Sequence, residues 1–454
     1  MNYVKKFIRD LSKMEGNIYL VGGYIRDKLI NPKIQPEDAD FIYDGDIVSL
    51  IKNLNQIGYK FFPIKKEIDI YRCMIGNNTI DISKINGKNI VEDLKERDFT
   101  VNAICMKLGE NKIIDPFDGR KALKNRIIKM VTMDSLNNDP IRILRAIRIY
   151  ISYGMHFNLD TENMIEKSAY KLKNAPKERV LSELMLIIKK DEQGNAFEIL
   201  DTFSILKNLI PYVQELKTVG KCKYHIEDVF THSNLTYKVF KDVIKKRIVI
   251  KKLDYSIFDV GFGKFTMKEY AAFACFVHDI GKYKAYKKEN NKVSFLGHEE
   301  IGADICKNIC NNLKFPKKAS KFIETVVGAH MYPLYLFKNN RENKEAYFEF
   351  FYKYNEFAME IILISFCDNY ATRILLDEEN EKEEYSKFIE DMFSEYKIYV
   401  DIRKNKLIDG NDIINILGNK GPLMTDIIKD IYKLIYTGKI KTREESIQYI
   451  NKLK

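Results

Sequence analysis

Leu20-Val21-Gly22-Gly23-Tyr24-Ile25-Arg26-Asp27, followed at residues 38–43 by Asp38-Ala39-Asp40-Phe41-Ile42-Tyr43, decides the fold of the N-terminal third. An apolar run, a glycine pair and a helical stretch closed by Asn31-Pro32 read as strand, turn and helix. Gly22 and Gly23 at such a turn let backbone N–H groups approach an oxyanion, and the helix N-terminus adds partial positive charge. Arg26, one turn in, is expected at the same anion. Residues two apart on a strand point to one side, so Asp38 and Asp40 can face one spot. Two carboxylates on one side suit Mg²⁺, which completes its shell with water and phosphate oxygens. Asp81, in Thr79-Ile80-Asp81-Ile82, is a third candidate because its neighbours point the other way, into the core.

Outward from this stretch, short β-branched runs at Ile18–Val21, Phe41–Tyr43, Ile68–Ile75 and Thr79–Ile82 alternate with helical segments and with turns such as Gly76-Asn77-Asn78. That pattern predicts a small α/β head. After Asp139 the periodicity is helical almost throughout, punctuated by Pro176, Pro211, Pro316 and Pro333. A chain of 454 residues is too long for one ordinary core, so several domains are expected. Its apolar runs, such as Ala271–Val277 and Ile361–Cys367, fall far short of the roughly 20 residues that span a bilayer, so no membrane partner is expected. Val4, Phe7, Ile8 and Leu11 mark an amphipathic first helix and not a signal peptide, which predicts a cytoplasmic protein. Seven cysteines without framework spacing fit packing in a reducing compartment, the pair Cys306 and Cys310 included. The formal charge of +11 favours a polyanionic partner without naming it. The lysine-rich stretch Lys241–Lys252 reads as a solvated helix face or loop.

Further motifs follow in order: Arg97-Asp98-Phe99-Thr100-Val101-Asn102-Ala103, then Asp115-Pro116-Phe117-Asp118-Gly119, then Asp139-Pro140-Ile141-Arg142-Ile143-Leu144-Arg145-Ala146-Ile147-Arg148, and later Pro176-Lys177-Glu178-Arg179-Val180 with Glu183. Over about the first 190 residues the run resembles class II tRNA nucleotidyltransferases and bacterial poly(A) polymerases of the polymerase β superfamily. The resemblance implies two Mg²⁺ ions at Asp38 and Asp40, a template-independent extension of RNA 3′ ends from CTP and ATP, and tRNA as partner, with no DNA. It also implies that Arg97, Arg145 and Arg148 hold ribose and triphosphate. Glu96 stands where the family has a further arginine and Asn138 where it has an acid, which leaves the finer nucleotide contacts open. The short connection from Lys84 to Lys95 resembles relatives that add only the two cytidines, so partial addition stays open.

The neck helix has a physical reading of its own. Asn138 or Asp139 can cap it, Pro140 suits its first turn, and Asp139 and Arg142 are neighbours on one face. A carboxylate accepts from the exocyclic amine of cytosine or adenine while a guanidinium donates to the adjacent ring acceptor, so the pair can favour C and A without a template.

Five of the six histidines lie between His225 and His330. His232, the His278-Asp279-Ile280-Gly281-Lys282 run and Asp368 resemble the HD phosphohydrolase superfamily, with His232, His278, Asp279 and Asp368 matching its four primary metal ligands. Two imidazoles and two carboxylates suit a divalent transition metal or Mg²⁺. His298 and His330 are candidates for a second ion or a phosphate contact. The implied activity is hydrolysis of 2′- or 2′,3′-cyclic phosphates.

The expected fold class is α+β: a polymerase β-like nucleotidyltransferase head with a small mixed sheet over residues 1–135, a helical neck over 136–215, an HD body over 216–375 and a helical tail for tRNA over 376–454, the last containing Leu407–Gly410 and Gly421-Pro422. The competing readings are a poly(A) polymerase, an enzyme adding only CC or only A, an HD hydrolase whose head merely binds RNA, and a non-catalytic RNA chaperone that would leave the carboxylates and histidines without a task.

Overall fold

The computed structural model describes residues 3–36, 38–65, 69–76, 78–220, 226–290, 292–376, 380–418 and 422–453. Ile68, Asn77, His225 and Gly421, each part of a feature expected above, lie outside the described residues. The chain divides into two compact units, Met1–Lys190 with Thr202–Asn208, and Asp191–Asp201 with Leu209–Lys454.

The first unit opens with α1 (Tyr3–Leu11), whose Val4, Phe7 and Leu11 recur on one face and are buried. Then come β1 (Asn17–Val21), α2 (Gly23–Ile30), β2 (Asp38–Asp44) and α3 (Ile47–Gln56), the last capped by the Asp46 carboxylate, which accepts from the Val48 and Ser49 N–H groups. β3 (Phe62–Lys65), β4 (Ile70–Ile75), β5 (Asn78–Lys84), α4 (Ile90–Lys95), β6 (Cys105–Lys107) and β7 (Lys112–Ile114) complete the sheet region. The strand order is β3-β4-β5-β2-β1-β6-β7. β2 and β5 run parallel and the other neighbours antiparallel, so the sheet is mixed.

Strand alternation divides this sheet into a packing face and a site face. Leu20, Phe41, Ile80 and Ile82 share one core with Phe7 of α1 and Leu50 and Leu54 of α3. Val21 and Ile42 point the other way, onto Ile90 and Leu94 of α4. Asp38, Asp40 and Asp81 occupy positions of this second parity. Register sets Asp40 beside Val21 on one side and beside Asp81 on the other, with Arg72 beyond Asp81.

The rest of the unit is α5 (Gly119–Lys124), β8 (Ile127–Ile128), α6 (Ser135–Asn138), α7 (Ile141–Tyr153), β9 (His156–Phe157), α8 (Leu159–Ser168) and α9 (Lys177–Lys190). α7 ends at Gly154, whose φ of 59° is left-handed, and packs along α9.

The second unit is helical apart from short strand pairs. Its centre is built from α10 (Val229–Ile244), α11 (Met267–Val277), α12 (His298–Leu313), α13 (Lys317–Ala329) and α14 (Ala358–Leu375). α11 starts with a reciprocal cap between Thr266 and Glu269, and every one of its residues except Lys268 is buried. α10 packs on α11 and α14, and α12 on α13. Cys306 and Cys310 are buried in α12, as packing required. The lysine-rich stretch is solvated at Lys246, Arg247, Lys251 and Lys252 as expected, and only Lys241, on the last turn of α10, departs: it is buried, and desolvation lowers its pKa. C-terminal helices Gly410–Leu417, Pro422–Tyr436 and Arg443–Asn451 gather around Ile413, Ile431 and Ile450. The fold is α+β, a mixed sheet followed by helices, and among the described residues no helix is long and apolar enough to cross a membrane.

Candidate active site and metal centre

Gly22 links β1 to α2 with φ 69° and ψ −132°, a conformation that only glycine adopts at little cost. A Cβ there would lie 2.9 Å from Arg97 Nη1 and 3.7 Å from Asp40 Oδ2, so turn, guanidinium and carboxylate meet at one point. Arg97 Nε is buried without a hydrogen-bond partner among the described residues, a donor left for an incoming acceptor. Desolvation raises the pKa of Asp40, and the charges of Asp81 and Asp38 raise it further against the pull of Arg97 and Arg145. Asp38 and Asp81 are thus near enough to act on the charge of Asp40, and carboxylates on one face are the oxygen donors that Mg²⁺ takes. Asp81 is held by Arg72, which donates from Nε to Oδ1 at 2.8 Å and from Nη2 to Oδ2 at 2.7 Å. Each of its oxygens keeps a lone pair for an ion.

Arg26 departs from its expected place. Its guanidinium is buried and donates to Asp27 Oδ1, Asn102 Oδ1 and the Tyr153 hydroxyl at 2.7–2.9 Å. Its Nη2 lies 3.5 Å from where a Cβ of Gly23 would stand, so with these three bonds it braces the glycine turn. The brace continues: Asn102 Nδ2 donates to Asp98 Oδ1 at 2.8 Å, and Arg145 Nε donates to Asp98 Oδ2 at 2.7 Å. Burial alone would raise the Asp98 carboxyl, but the Arg145 charge and the hydrogen bonds from Asn102, Arg145 and the Phe99 N–H hold it well below the usual carboxylate range.

A folded-state pKa below the unfolded value of about 3.9 means that Asp98 stabilises the fold fully above that pH and progressively less as acid titrates it. Asp98→Asn is therefore expected to cost about 2 kcal/mol at neutral pH, less than the roughly 3–5 of a fully buried pair because Arg145 reaches solvent. The melting-temperature gap to the wild type should narrow as pH falls below about 4.

The neck helix presents Asp139, Arg142, Arg145 and Arg148. Asp139 Oδ1 accepts from the N–H of Ile141, the first residue of the helix, at 3.2 Å, and Arg179 of α9 donates to both carboxylate oxygens at 3.2 and 2.7 Å. Arg142 donates to Ser135 Oγ at 2.8 Å and to the Glu96 carbonyl at 2.6 Å, so it does not bond Asp139 through its side chain. Glu183 of α9 accepts from Arg148 Nε at 2.7 Å and lies 3.7 Å from Arg145 Nη1. Three partners of this layer carried no site role in the sequence: Arg72, whose only signal is cross-strand register with Asp81, and Asp98 and Asn102, four apart in a quoted motif.

In the second unit, His232 on α10, His278 and Asp279 at the end of α11, and Asp368 on α14 bring four ligand atoms within 4.8 Å of one another, all in buried residues. His232 Nε2 is 2.8 Å from Asp368 Oδ1, and His278 Nε2 is 3.3 Å from Asp279 Oδ2. Asp279, His298 and His330 form a second, overlapping set, with His298 Nε2 3.2 Å and His330 Nε2 3.6 Å from Asp279 Oδ1. The Nδ1 atoms of His278, His298 and His330 lie 2.7–2.9 Å from the carbonyls of Cys275, Phe295 and Val327. A carbonyl accepts only, so Nδ1 carries the proton and Nε2 offers its lone pair inward, the arrangement of a ligating imidazole. Burial alone would lower the pKa of His278, but Asp279 and Asp368 outweigh it and push it up to about 10. The donor set therefore already attracts positive charge and fits a divalent metal. Glu227 Oε1, 3.3 Å from His232 Nδ1, and Lys282 Nζ, 2.6 Å from Asp279 Oδ2, complete the surroundings; Lys282 ends the quoted run without a site role, and Glu227 had no signal in the sequence.

The profile of a Poly A polymerase head domain matches residues 18–129. That of a probable RNA and SrmB-binding site of polymerase A matches 154–217, and that of an HD domain 225–373. An A-adding tRNA nucleotidyltransferase of Deinococcus radiodurans is 24% identical over 95% of this chain and 94% of its own length. A CC-adding tRNA nucleotidyltransferase of Thermus thermophilus is 23% identical over 95% and 92%. A solved CCA-adding enzyme in complex with ATP shares the fold at a TM-score of 0.65 and 18% identity, over 99% of this chain and 96% of that one.

Proposed function

Because the chain belongs to the family of tRNA nucleotidyltransferases and poly(A) polymerases with an HD domain, we propose that it adds C and A from CTP and ATP to tRNA 3′ ends without a template. The observation that carries this reading is the meeting of Gly22, Asp40 and Arg97 at one point, with Asp38 and Asp81 beside it. The 3′-hydroxyl oxygen attacks the α-phosphorus, the bond to the β-phosphate oxygen breaks, and pyrophosphate leaves. Asp38 and Asp40 would hold Mg²⁺, which when bound supplies charge stabilisation to the attacking and departing oxygens. Gly22 leaves room for the phosphates against the backbone, and Arg97 donates to them. Asp139, oriented by Arg179, accepts from the amine of cytosine or adenine, and Arg142 donates to the ring acceptor.

Offering a tRNA transcript that lacks its terminal nucleotides CTP alone, ATP alone, then both, and sequencing the 3′ ends, tests the reading. Addition of C with CTP and of A once both are present is expected, while long A tracts from ATP alone would make the chain a poly(A) polymerase. Loss of the Asp139 orienting partner in Arg179→Ala is expected to raise KM for CTP and ATP by about tenfold, near 1.4 kcal/mol, with RNA affinity unchanged.

The buried histidine and aspartate cluster favours a second activity, hydrolysis of 2′,3′-cyclic phosphates on RNA ends. His232, His278, Asp279 and Asp368 would hold the metal, and a phosphate would reach the neighbouring His298 and His330.

A further inference from the structure

A pocket of about 410 Å³ opens in the first unit between the C-terminal end of α2, α5 and the end of α7. Its size falls in the roughly 300–1,000 Å³ range of small-ligand pockets. Arg120, Lys124 and Arg126 line it, are exposed, and form no ion pair with any described residue. The rest of the lining is Tyr153 and the apolar Leu29, Ile30, Leu123 and Met155, with Leu29 and Ile30 at 37% and 42% exposure. Arg126 holds a left-handed φ of 54°, which costs a residue with a Cβ about 1–2 kcal/mol and is retained here beside the pocket. α2 has eight residues, about 12 Å at 1.5 Å each, so a pocket at its far end is separate from the glycine turn at its start.

We propose that this pocket binds one unpaired nucleotide of the RNA substrate, its phosphates on Arg120, Lys124 and Arg126 and its ribose and base on the apolar lining, a second RNA contact away from the reacting end. The inference rests on the function proposed above. Charge complementarity selects the occupant: three unneutralised cations suit consecutive phosphodiester oxygens, and the pocket is too small for a duplex groove contact. Tyr153 ties the pocket to the site, since its hydroxyl accepts from Arg26 at 2.8 Å while its ring lies 4.8 Å beneath the Arg26 guanidinium.

The test compares the full-length wild type with Arg120→Ala/Lys124→Ala/Arg126→Gly and with the single exposed change Lys124→Glu, which guards against a folding defect in the triple variant. Anisotropy of a labelled tRNA transcript lacking its terminal nucleotides, measured across a KCl series, gives Kd and its salt slope, and incorporation kinetics give KM for CTP. The triple variant should weaken Kd about tenfold near physiological salt and flatten the slope by about 1.4, at roughly 0.7 for each of the two phosphates that flank one nucleotide. Lys124→Glu should weaken Kd in the same direction, and KM for CTP should stay at the wild-type value in both. A shifted KM with unchanged RNA Kd would assign the pocket to a free nucleotide and overturn the proposal. Unchanged Kd and slope in a variant whose wild type still extends tRNA would overturn it alone, whereas a wild type that neither binds nor extends tRNA would overturn the functional reading beneath it.

Discussion

Asp40→Ala is expected to cut nucleotide incorporation by about a thousandfold or more, since several kcal/mol of transition-state stabilisation goes with the metal and each 1.36 kcal/mol is tenfold. RNA binding should stay near the wild-type value, because Asp40 lies on the site face of the sheet and its strand neighbours Ala39 and Phe41 carry the packing. The loss should appear in kcat and not in the melting temperature. Removing one of three mutually repelling acids relieves charge crowding, so a small gain in stability is the expected sign. Asp81→Ala should carry a structural cost as well, because Arg72 is then left without the carboxylate to which it donates two hydrogen bonds.

The second large effect belongs to the histidine cluster. His278→Ala with Asp279→Ala should abolish hydrolysis of a 2′,3′-cyclic nucleotide in Mn²⁺, Ni²⁺ or Co²⁺ and remove bound metal, by more than the roughly 10–100-fold that changes around a metal's ligands cost. Nucleotide incorporation should persist, since these residues lie in a different compact unit from Asp38 and Asp40. Metal uptake by the wild type should release protons and strengthen with pH. Ligation needs neutral imidazoles and ionised carboxylates, so a proton that Asp279 and Asp368 hold in the cluster must leave as the metal enters. Calorimetric titration in buffers of different ionisation enthalpy reads that proton directly, and an uptake independent of pH would contradict it.

Much of the site can be read from the chain because the relevant spacings are local. Asp38 and Asp40 obey the two-residue period of a strand, and Ile80 and Ile82 on either side of Asp81 fill the opposite core. The histidines are rare enough that their order along the chain marks their convergence. What escaped the sequence is set by tertiary pairing. Arg72 meets Asp81 only through β4–β5 register, and Arg179 reaches Asp139 across two helices, neither of which has a local signal. Arg26 was misplaced for a related reason: helical periodicity gives its azimuth, but whether that side faces the anion or the interior depends on Asn102 and Tyr153, far away in sequence. The short strands β3, β6 and β7 carry too few residues for alternation to show. Lys241 was read as solvated because a lysine run looks like a surface, yet its position on α10 turns it inward.

The most direct measurement is pyrophosphate released per labelled nucleotide when the full-length protein meets a 3′-truncated tRNA transcript, Mg²⁺, CTP and ATP, with no other nucleic acid present. The expected result is one pyrophosphate per nucleotide, products that stop within about three additions, and no incorporation by Asp40→Ala above roughly a thousandth of wild type. A transcript of unchanged length, or equal incorporation by wild type and Asp40→Ala, would contradict the assignment of the reaction to the acids of β2.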